Sequence, residues 1–156
     1  MVAMSDWVYQ DELRLTELNV PRAALQFART LAYPRLDVAN YMTALHTLSE
    51  LATEHVDLAG PVARQADQLA EYLFVTLRFR GNTEDYGDPR NSYLNEVLDR
   101  RLGIPISLSV IFIDIAHRLG IPAYGIGLPG HFIVGIHSRD ADIWLDPFHG
   151  GRRLDL

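Results

Sequence analysis

One run limits what this chain can fold into more than any other. It is Gly103–Asp146, reading GIPISLSVIFIDIAHRLGIPAYGIGLPGHFIVGI, then a polar link and IWLDP. Within it, Ile106–Leu119 is apolar around most of a helical circumference, broken only by Ser107, Ser109, Asp114, His117 and Arg118. A helix apolar on most sides belongs in the interior. Pro105 suits the first helical position, where a missing N–H costs nothing. Gly120 ends the helix and Pro122 forbids its continuation. Ser107, Asp114 and Arg118 fall near one line on the helical wheel. Beyond it, Ala123–Leu128, His131–His137 and Ile143–Leu145 have strand character, separated by Pro-Gly and by a polar link. Strands this close in sequence pair as antiparallel neighbours.

The preceding half predicts helices. Pro21 opens a run rich in helix formers over Ala23–Ala32, which Tyr33-Pro34 interrupts. Leu36–Glu54 carries an apolar stripe at spacings of three and four, with Asp37 near its start, and Pro61 opens a third helix. His46 and His55 read as surface or edge residues. Phe79–Ser92 (FRGNTEDYGDPRNS) is turn chemistry. A polar loop of this length is either functional or bonded to itself. Asn91-Ser92 offers caps for the next helix, Tyr93–Arg101. Helices first and a small sheet afterwards make an α+β domain. It spans 1–156, with a helical part over 1–80, and with loop, central helix and sheet over 81–156.

The net charge of −6 argues against nucleic acid and acidic membrane as partners. No basic segment leads into an apolar run at the start, and Leu108–Ile113 is far too short to span a bilayer. The expectation is a cytoplasmic protein. The chain has no cysteine, which excludes disulfides, thiolate metal sites and thiol catalysis.

His131 begins a strand after the Pro-Gly turn, and Asp146 ends the next strand before Pro147. In adjacent antiparallel strands these two ends meet, so the carboxylate can fix the imidazole tautomer and raise its basicity. That is half of a nucleophile–base–orienter triad.

A Gly-x-nucleophile turn, a helix ending in R-x-G-I-P, a strand-initial His and an Asp in W-x-D-P together resemble the transglutaminase-like superfamily. More closely, FRGNTEDYGDPRNSYLNEVLDRRLGIPISLSVIF, LPGHFIVG and LDPFHGGRRL resemble its SirB1-type branch, also called UPF0162 or transglutaminase-like core 2. The resemblance runs from about Leu36 to the end. It implies a papain-like Cys-His-Asp arrangement with His131 and Asp146 at two triad positions and Pro105 where the nucleophilic cysteine would stand. It also implies a bacterial source.

Two functional readings follow. In the first, the protein is a non-catalytic relative whose cleft binds a protein or peptide ligand and is lined by His131, Asp146, Asn82, Tyr86, Asn91 and Ser92. In the second, it is a hydrolase or acyltransferase using Ser107 or a His131-activated water. Ser107 lies nearly opposite Pro105 on the wheel, so facing His131 would require the helix start to unwind. No cofactor and no metal are expected. His131 and His137 sit too far apart along one strand to share an ion. His131, Asp146 and His149 can converge in principle.

Overall fold

The computed structural model describes residues 18–155. Helix α1 (Val20–Leu31) starts on Asn19, whose Oδ1 accepts the Arg22 amide at 3.0 Å. Helix α2 (Val38–Ala52) starts on Asp37, whose carboxylate accepts the Asn40 amide at 3.1 Å. Both are N-caps that satisfy otherwise orphaned donors. Helix α3 (Val62–Ala70) begins after Pro61 and continues as a wider π turn over Glu71–Thr76, which buries Tyr72, Leu73 and Phe74. His55 stacks on Tyr72 with centroids 4.5 Å apart.

Two-residue strands β1 (Arg80–Gly81) and β2 (Leu102–Gly103) pair in parallel. They close the base of an excursion that holds a 3₁₀ turn (Pro89–Asn91) and helix α4 (Leu94–Arg100). The N-cap of α4 is Tyr93, with no side-chain hydrogen bond. The caps expected of Asn91 and Ser92 are therefore not made. Asn91 is instead consumed inside the loop, and Ser92 lies exposed in the turn.

Helix α5 (Pro105–Arg118) is the central element, and it packs against α2, α3, β3 (Ala123–Leu128) and β4 (His131–Ile136). Leu108, Ile111, Phe112, Ile115 and Ala116 are its most deeply buried apolar side chains, all at most 2% exposed. Asp114 and Arg118 pair at 2.8 Å on the outer face. The sheet order is β3-β4-β5-β6, all antiparallel, with β5 at Ile143–Asp146 and β6 at Arg152–Leu154. β6 is tied back to α3 by Arg153, whose Nε and Nη2 donate to the Asp67 carboxylate at 2.7 and 2.8 Å. The fold is α+β, with helices preceding a small antiparallel sheet. Sequence patterning placed the main helices and three of the four sheet strands. The β1/β2 ladder, the π turn and β6 carry too few residues to show a period.

Candidate functional site

The site is built at the open end of the β4/β5 pair. Val134 faces Leu145 in register, so His131 and Asp146 lie on a diagonal of one sheet face. His131 Nε2 stands 3.1 Å from Asp146 Oδ2. The contact is an ion-pair distance without hydrogen-bond direction, and Nε2 is sealed from solvent with no hydrogen-bond partner.

A third group completes the arrangement. Asp146 caps the 3₁₀ turn Pro147–His149 through Oδ1, which accepts the His149 amide at 3.3 Å. The turn brings the His149 ring back, and its Nδ1 lies 2.7 Å from Asp146 Oδ2. The Asp146 side chain is 3% exposed, against 25% for His131 and 47% for His149. Arg152 Nη2 stands 4.0 Å from the same carboxylate oxygen. Sequence reasoning placed His149 here only as one member of a possible ligand set. Its i,i+3 spacing from Asp146 across Pro147 was the available signal, because a 3₁₀ turn eclipses those positions.

Burial of the Asp146 carboxyl raises its pKa, but the His149 and His131 contacts and their charges outweigh this and hold it below the ordinary carboxylate value. A carboxyl depressed in the folded state contributes stability above its unfolded pKa, and that stability is lost as pH falls through the folded value. The melting temperature of the native chain should therefore exceed that of Asp146→Asn at neutral pH. That margin should shrink once pH drops below about 4. A margin unchanged through acid would contradict the pairing.

The turn that carries His149 is held tightly. Gly151 donates to the Asp146 carbonyl at 2.8 Å. Phe148 lies over Gly81, where an added Cβ would come within 2.5 Å of the ring. Tyr86 packs edge-on to Phe148, and Phe148 packs edge-on to His131, at centroid distances of 5.7 and 6.4 Å. Tyr86 thus reaches the site through one intervening ring.

The other candidates are spent elsewhere. Asn82 Nδ2 donates to Asn91 Oδ1 at 3.0 Å, and Asn82 Oδ1 accepts the Asp85 amide. Asn91 Nδ2 donates to the carbonyls of Asp85 and Tyr86. Both asparagines are buried and hold the loop's own turns, so they do not offer free groups to a cleft. Asp88 is a further anchor: its carboxyl is lowered to about 2 by side-chain and backbone hydrogen bonds from Arg90.

Ser107 is buried at the start of α5. Its hydroxyl donates to the Asn91 carbonyl at 2.8 Å and accepts the Ile104 amide at 3.0 Å, which is half of a capping box. Gly103 makes room for it, since a Cβ there would lie 2.6 Å from Ser107 Oγ. None of the hydrogen bonds of Ser107 involves His131. The nucleophile expectation for Ser107 meets a hydroxyl already engaged in structure. Pro105 is the buried first residue of α5, as its sequence position implied.

The family model for the core 2 group of the transglutaminase-like superfamily matches residues 39–156. The chain belongs to this superfamily. A UPF0162 protein of Xylella fastidiosa (strain Temecula1 / ATCC 700964) is 46% identical over 138 residues, which is 88% of this chain and 49% of that protein. A UPF0162 protein of Vibrio cholerae is 41% identical, covering 69% of this chain and 45% of its own length. F-box only protein 21 of Homo sapiens is 36% identical over 98 residues, or 58% of this chain and 16% of that protein. The chain spans about half the length of the UPF0162 relatives it matches. No solved structure matches.

Membership in the transglutaminase-like superfamily joins a His–Asp pair at the site to a chain without cysteine. No helix among the described residues is long and apolar enough to cross a membrane.

Proposed function

We propose that this is a single SirB1-type, transglutaminase-like domain acting without catalysis: a cytoplasmic binding module whose retained His131–Asp146 cleft engages a protein or peptide ligand. One observation carries the reading. The one hydroxyl offered as an alternative nucleophile, that of Ser107, bridges the Asn91 carbonyl and the Ile104 amide, while Pro105 occupies the first turn of α5. Releasing that hydroxyl for attack would orphan two backbone groups, which costs on the order of 1–3 kcal/mol each when they are buried. The acidic net charge supports protein over nucleic acid as partner.

A serine-directed phosphonate probe should leave Ser107 unlabelled on the folded chain. Labelling of Ser107 that disappears in His131→Ala would overturn the reading in favour of a serine hydrolase. In parallel, Ser107→Ala should lower stability by about 1–2 kcal/mol in denaturant unfolding, the range of a lost N-terminal helix cap. A hydroxyl poised for chemistry and free of structural bonds would show almost no such loss.

A further inference from the structure

We propose that His131 Nε2, Asp146 Oδ2 and His149 Nδ1 form a three-ligand site for a borderline divalent transition-metal ion, zinc foremost. Among the described residues, these are the only three potential metal ligands whose donor atoms converge, all lying within 4.8 Å of one another. The two separations that involve the carboxylate are 3.1 and 2.7 Å. An ion bound tetrahedrally at about 2.0–2.2 Å to imidazole nitrogen and carboxylate oxygen spaces its ligands by roughly 3.3–3.6 Å. Both contacts are tighter than a bound ion holds its ligands, so loading the site requires the half-exposed His149 ring to move outward from the carboxylate.

A second observation is independent of proximity. His131 Nε2 is shut off from water, and no hydrogen bond satisfies it although a carboxylate oxygen lies beside it. A buried ring nitrogen left in that state incurs a desolvation cost that a coordinate bond removes. The donor chemistry agrees, because two imidazoles with one carboxylate suit zinc and its neighbours and not calcium or magnesium.

The geometry also leaves an entrance. Asp146 spends Oδ1 on the His149 amide, which leaves Oδ2 as a single ligand, and the half-exposed His149 puts that end of the cluster beside solvent. Arg152 shares the neighbourhood at 4.0 Å, but its side chain is largely exposed and free to swing away. The inference goes beyond the binding-module reading and does not rest on it.

The test uses the full, tag-free chain stripped with a chelator and titrated calorimetrically with Zn²⁺, then with Co²⁺, whose visible bands report coordination. One ion per chain is expected. His149→Ala should weaken binding at least ~10-fold, and Asp146→Asn should do the same if it folds. His137→Ala should leave binding unchanged, since that exposed histidine pairs with Asp142 away from the cluster. Absence of saturable binding, or binding that survives His149→Ala, would overturn the proposal. Neither outcome bears on whether a phosphonate labels Ser107.

Discussion

Gly151→Ala is expected to destabilise the protein by about 2–5 kcal/mol, the sum of left-handed backbone strain and an overpacked contact. Gly151 has φ +71°, and a Cβ there would sit 2.5 Å from the Phe74 ring and 3.0 Å from Ala70 Cβ. Neither neighbour is the end of a flexible chain, so the strain cannot be relieved by a side-chain swing. The damage should also spread. The Gly151 amide closes the turn on the Asp146 carbonyl, and that turn presents His149. Chemical unfolding measures the stability loss, and chemical shifts of the His131 and His149 rings report whether the site moves with it. Gly87→Ala is the matching control, because nothing lies within 4 Å of its Cβ position and the loop tip is exposed. A Gly151→Ala protein as stable as that control would mean the turn yields freely.

The second large effect lies in the core. Phe112→Ala should cost about 3–5 kcal/mol. Phe112 is fully buried on α5 and lies parallel to Phe74 of the π turn, with centroids 6.1 Å apart and planes 3° from parallel. Removing the ring deletes apolar burial and leaves a cavity between the central helix and α3, which a packed interior collapses only in part. Phe112→Leu, which keeps most of the volume, should lose far less in the same unfolding experiment. Equal losses would show that the cost comes from somewhere other than the void.

Much of this architecture could be read in advance, for reasons tied to particular residues. α5 was legible because its apolar run is long and is punctuated by Pro105, Gly120 and Pro122. The meeting of His131 with Asp146 was legible because antiparallel hairpins put those two strand ends together. The fate of Asn82 and Asn91 was not, since an amide side chain serves a cleft and a loop equally well until the fold fixes its partners. Ser107 is a similar case. Its position on the helical wheel pointed away from His131, but its bond to Asn91 spans sixteen residues and leaves no local pattern. His149 needed the 3₁₀ turn, whose three residues are too few to announce themselves.

The two-residue ladder between β1 and β2 has a consequence for how this domain can vary. Arg80 donates to the Arg101 carbonyl and Asn82 to the Gly103 carbonyl, both at 2.9 Å, so the intervening segment leaves and returns through one clasp. Once the ends of a loop are held, lengthening it is inexpensive: each doubling adds only about 0.6 kcal/mol of closure entropy. The exposed residues Thr83 and Glu84, just beyond that clasp, are therefore a place where extra residues can enter while Phe148, Asp146 and the start of α5 keep their positions. Variation in that segment can accumulate without rebuilding the arrangement of His131, Asp146 and His149.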